Sequence, residues 1–67
     1  MKQSTKTALN RAYVSLQRIV EELYREVDMA IDNGNYADAS LLEARAERIF
    51  EQAEAITVII VEQENGH

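Results

Sequence analysis

A chain of 67 residues, 46% apolar and 28% charged, makes one folded domain at most and excludes a disordered segment on composition. It has no cysteine, which removes disulfides and thiolate metal sites, and its formal charge of −5 argues, as a total, against a polyanion partner. No run reaches the roughly 18 uninterrupted apolar residues of a membrane span, and Met1-Lys2-Gln3-Ser4-Thr5-Lys6 lacks the apolar core of a signal peptide; the expectation is a cytoplasmic protein with no membrane partner.

The first element is a helix over about residues 4–31. Its apolar positions run Leu9, Tyr13, Leu16, Val20, Leu23, Val27 and Ala30, alternating steps of four and three, which are the d and a positions of a heptad. Charge along it is lopsided. Residues 1–20 hold no acid and carry Lys2, Lys6, Arg11 and Arg18, a sum of +4, whereas residues 21–67 carry three arginines against all twelve acids, a sum of −9. Arg11, Arg18 and Arg25 recur every seven residues, so they form one row on the outer face, with Asn10, Val14 and Gln17 beside it. Such a row suits phosphates. It is also where a bundle helix keeps its solvated charges, and Glu21, Glu22 and Glu26 stand at the right spacing to pair with Arg18 and Arg25.

A turn follows at residues 32–35. Gly34 stands where the end of a helix favours positive φ, and Asn35 is suited to cap the next helix. The string from Gly34 to Ala39 resembles the inter-helix turn of a tetratricopeptide unit, but only one such turn exists and that architecture needs about three repeats.

The second helix is expected over about residues 36–62, ahead of a frayed C-terminal tail. It repeats the rule with Ala39, Leu42, Ala46, Ile49, Ala53, Ile56 and Ile60, and three of its a positions are alanine. Folding back about Gly34 brings Val27 to Ala39, Val20 to Ala46 and Tyr13 to Ala53, large against small, which permits close helix spacing. The start of the first helix then lies beside Glu51, Glu54, Glu62 and Glu64, which can neutralise its cations. Each seam keeps a second apolar edge, Ala8, Ala12 and Ile19 on the first helix and Tyr36, Phe50 and Thr57 on the second.

These elements specify an all-α fold, one helical hairpin over residues 1–67. One pair of helices leaves its second edges wet, and so small a core rarely supplies more than about 3–5 kcal/mol. The expectation is therefore a homodimer forming a four-helix bundle. Its core and dimer interface draw on Leu9, Tyr13, Leu16, Val20, Leu23, Val27, Ala39, Leu42, Ala46, Ile49, Ala53 and Ile56.

Catalytic chemistry has few candidates. His67 is the single histidine and is the last residue; Glu43, Glu47, Glu51 and Glu54 share helical spacing but occupy outer or flanking heptad positions and lack the Glu-x-x-His pairs of a carboxylate di-metal bundle. With two glycines there is no phosphate loop. The expectation is no enzyme, no catalytic residue, no metal and no cofactor. One further feature is Ile56-Thr57-Val58-Ile59-Ile60-Val61, apolar at five of six positions, so that Val58 and Val61 point off the seam towards a docking partner or the open end of a bundle.

Lys6-Thr7-Ala8-Leu9-Asn10 with Ala12, and Ala46-Glu47-Arg48-Ile49-Phe50 in the second helix, resemble the Rop (repressor of primer) family of plasmid copy-number regulators. The resemblance implies an antiparallel homodimer forming a four-helix bundle, whose paired first helices grip two kissing RNA stem-loops. The family's contact face uses a lysine, then asparagine, phenylalanine, glutamine and lysine; the counterparts are Gln3, with Lys2 beside it, then Asn10, Val14, Arg18 and Arg25. Only the asparagine is kept, and the aromatic is replaced by Val14. The RNA-binding candidates are Lys2, Lys6, Asn10, Arg11, Val14, Arg18 and Arg25. Beyond Ala12 the core falls one position later than in the family, and a one-residue slip would put Ser15, Ile19 and Glu26 on that face instead.

Gly34, Tyr36 and the run from Glu51 to Ile60 resemble a second group, the small co-chaperones of type III secretion needle subunits, also helical hairpins. That resemblance implies a helical-repeat protein partner, engaged through Ile56–Val61. A generic coiled-coil adaptor is a third reading.

Overall fold

The computed structural model describes residues 1–65 and consists of two helices, α1 over Gln3–Asp32 and α2 over Tyr36–Asn65, folded back as a hairpin. Neither helix is long and apolar enough to cross a membrane. Its extents are 51 × 17 × 11 Å, and the smallest is the diameter of one helix. The radius of gyration is 15.4 Å, against about 11 Å for a compact chain of this length. A single layer of two rods has a seam but no interior.

The turn has a full set of backbone hydrogen bonds. Asn33 N–H donates to Met29 O at 3.0 Å, Gly34 N–H to Ile31 O at 3.0 Å and Asn35 N–H to Ala30 O at 2.7 Å, the last two being the nested pair of a Schellman motif. The motif needs a residue with positive φ just past the helix, and Gly34 supplies it at +78°. Asn35 then opens α2 through its carbonyl, which accepts the Ala39 N–H at 3.0 Å. The other end of α1 is less well finished. Lys2 precedes it with no side-chain cap, and the first turn holds no acid to complement the helix dipole.

α2 continues through Asn65, beyond the expected end near residue 62. Glu62, Gln63 and Glu64 are good helix formers, and Glu64 is held in an ion pair with Lys6 on α1. What remains of the expected tail, including His67, lies outside the described residues.

Among the described residues, every buried one is valine or alanine: Val20, Val27, Ala30, Ala39, Ala46 and Ala53. Ala46 is 0% exposed and Ala53 1% exposed, so α1 closes directly over the alanine column of α2. Val27, Ala30 and Ala39 form one buried cluster near the turn, with Leu42 packed against it. The larger seam residues, Leu9, Tyr13, Leu16, Leu23, Leu42, Ile49, Ile56 and Ile60, are only half-buried. Heptad geometry explains the split except at Ala30, a small d residue buried beside the turn, and at Tyr13 and Ile60, a residues towards the open end. The a positions point across the seam at the opposite helix, whereas the d positions of both antiparallel helices tilt to the same side of the hairpin, where Ala30 and Leu42 share a cluster.

Candidate functional site

The d positions form one long apolar strip on one side of the hairpin: Leu9, Leu16 and Leu23 from α1, and Leu42, Ile49 and Ile56 from α2, each half-covered. On the α1 flank, Ile19, Glu22, Leu23, Arg25, Glu26 and Met29 surround a shallow groove. On the α2 side, Leu41, Ala44, Arg45 and Arg48 surround another. Met29 and Leu41, 54% and 60% exposed, extend the apolar strip outwards on its two flanks.

The opposite side of the hairpin has its own apolar patch. Val27, Ile31, Tyr36, Ala39, Ser40 and Glu43 line a groove beside the turn, and Tyr36 is 67% exposed. Tyr24, seven residues before Ile31, and Phe50, seven after Glu43, extend this side along the two helices and are also exposed. The two second edges read from the sequence therefore do not form one surface. Ala12 and Ile19 flank the leucine strip, whereas Tyr36, Phe50 and Thr57 lie on the other side. Tyr24, Met29, Ile31 and Leu41 were not singled out by the seam pattern; their e and c positions in the same heptad carry the signal.

Among the candidate RNA-binding residues, Asn10, Arg11 and Val14 come together. With Thr7 and Ser15 they line a shallow depression on the outer side of α1. Arg18 is exposed one to two turns further along, and Arg25 sits in the separate groove beside Leu23 and four other residues of the opposite flank. Lys2 is exposed at the helix start, and Lys6 is drawn to Glu64. That pair is the only ion pair among the described residues, so Arg11, Arg18 and Arg25 have no acidic partner, including Glu21, Glu22 and Glu26. In the slipped alignment, Ser15 stays at the Val14 depression while Ile19 and Glu26 fall in the groove beside Leu23.

Polar side chains take little part in the seam. Gln17 donates from Nε2 to the Tyr13 hydroxyl at 2.8 Å, and Thr57 Oγ1 donates to the Ala53 carbonyl at 3.5 Å, both within one helix. No polar or charged side chain is buried among the described residues, and none of them form a group of three or more metal-ligating side chains. The α2 segment from Ile56 to Val61 shows Val58, Ile59 and Val61 about half-exposed. What the described surfaces offer is apolar area and guanidinium groups.

No family model matches the chain, and neither a curated protein nor a solved structure does.

Proposed function

We propose that this chain is a non-enzymatic binding protein that works as a homodimeric four-helix bundle and presents the outer face of α1 to structured RNA, as a Rop-like regulator would. The observation that carries the dimer is the half-covered strip of Leu9, Leu16, Leu23, Leu42, Ile49 and Ile56. Two such strips pressed together bury the leucines and isoleucines that a single hairpin leaves in contact with water, at roughly 25 cal/mol for each Å² of apolar surface removed. The RNA reading draws on the arginine row, which has no acidic partner, and on Asn10 and Val14 beside it.

Salt-dependent RNA binding is the test. On an acidic protein, retention of structured RNA loop pairs must come from a local basic face, so affinity should fall steeply with salt. Arg18→Glu and Arg25→Glu should weaken it, Asn10→Ala should weaken it less, and Val14→Phe should strengthen it by adding stacking worth roughly 1–3 kcal/mol. Salt-insensitive retention, or none, rejects the RNA reading.

A second reading, a helical-repeat protein partner as for a needle-subunit co-chaperone, is favoured by the exposure of Val58, Ile59 and Val61 on one stretch of α2. Direct binding of such a partner that Val58→Asp with Val61→Asp abolishes would support it over the first.

A further inference from the structure

The leucine strip is bordered by charge of opposite sign on its two long edges. Glu22 and Glu26 stand on the α1 flank, in the groove beside Leu23, with Arg25 lining the same groove, so that this edge carries two acids against one cation. Arg45 and Arg48 stand on the α2 flank, and Arg45 is a helical neighbour of both Leu42 and Ile49. All four are exposed. The edges also match in level: Val27 lies in a cluster with Ala39, and stepping back along both helices puts Glu22 level with Ala44, one residue from Arg45. We propose that a second copy of this chain docks on the strip with the two-fold axis parallel to the helices. α1 of each protomer then lies beside α2 of its partner, and both turns are at the same end of the bundle.

This rests on the homodimer reading and decides between its two geometries. With the axis parallel to the helices, levels are preserved, so Glu22 lies within one residue of the level of the partner's Arg45 and about one turn from the partner's Arg48, Glu26 lies about one turn beyond Glu22 on the same edge, and the same arrangement recurs on the symmetry-related seam. Met29 comes within about one helical turn of the partner's Leu41, which covers two of the most exposed apolar side chains. With the axis across the helices, α1 runs against the partner's α1 and α2 against its α2. Arg48 then meets the partner's Arg48 with both copies of Arg45 about a turn away, while Glu22 and Glu26 face the partner's Ala8, Ala12 and Ser15. That geometry gathers four arginines on one seam and gives the acids no cation from the partner's Arg45 or the partner's Arg48, a like-charge arrangement that selects against it. The favoured geometry also sets the two α1 arginine rows on diagonally opposite corners, in contrast to the single face of paired first helices that the family resemblance implies.

The chain has no cysteine, so Asn33→Cys gives one spin-label site per protomer, at the turn. Double electron–electron resonance should read a turn-to-turn distance of about 15–30 Å, set by helix spacing of about 8–10 Å and the label arms. A distance of about 45 Å or more, close to the 51 Å length of the hairpin, would overturn the proposal and leave the dimer standing. No dipolar signal, with a monomer by sedimentation at every concentration, would overturn the dimer reading itself. As a second arm, Glu22→Arg with Glu26→Arg should weaken self-association roughly tenfold or more, and adding Arg45→Glu with Arg48→Glu should restore it. If the first swap leaves association unchanged, or the second fails to rescue it, the edge pairing is refuted.

Discussion

Gly34 and Ala46 show how two small residues hold the hairpin for different reasons. At Gly34 an added Cβ would meet nothing within 4 Å, so the constraint is the positive φ alone. Gly34→Ala should therefore cost about 1–2 kcal/mol, and Gly34→Asn less, since asparagine tolerates the left-handed region; equal losses in thermal unfolding would point to a steric cause instead. At Ala46 the constraint is space. The residue is fully covered by α1, so Ala46→Leu should destabilise by about 1–3 kcal/mol or force a new topology, with Ala46→Ser milder. A raised melting temperature with unchanged assembly would mean that position 46 is not in a close-packed layer.

The two helices differ in how well their ends are finished. α1 stops at a fully hydrogen-bonded Schellman turn but begins at Lys2 with no side-chain cap and cations in place of acids. Lys2→Asp should stabilise it by about 0.5–1 kcal/mol, through an N-cap acceptor and the dipole, measurable as a higher denaturant midpoint with unchanged slope. No gain would mean that this first turn frays in solution. At the same end of the hairpin, the Lys6–Glu64 pair is partly exposed and belongs with surface ion pairs worth about 0–1 kcal/mol. Its larger consequence is for recognition, because it occupies one cation of the basic stretch and leaves the arginine row as the open part.

For the whole molecule, the deciding fact is that a single layer of two helices leaves every leucine of the chain short of burial. If two copies close over the strip, Leu23→Ala or Ile49→Ala should each cost about 2–5 kcal/mol per side chain removed. In a lone hairpin the same changes, at half-covered positions, should cost well under that. The melting temperature of the wild-type chain should rise with protein concentration, as it does for any assembly that binds only folded chains. A concentration-independent transition, with small losses at Leu23 and Ile49, would place the chain among monomers awaiting a different partner.

The helices, the turn and the seam were legible in the sequence because heptad spacing, Gly34 and the absence of proline act locally, within one helix or one turn. The alternation of large and small residues even matched Val27 with Ala39, which share one buried cluster. The site was legible only as positions: a row of arginines, an apolar segment near the C-terminus and a set of leucines, with nothing to say which were covered. Tertiary structure decided that. Side-by-side antiparallel packing sends the a positions across the seam and the d positions to one side, so the alanine and valine column is sealed while the leucines stay half-open. It also separates Ile19 from Phe50 onto opposite sides and, of the four glutamates that the sequence set beside the N-terminal cations, pairs Glu64 with Lys6 among the described residues. Such pairings depend on how two helices lie against each other, a relation that the periodicity of either helix alone does not contain.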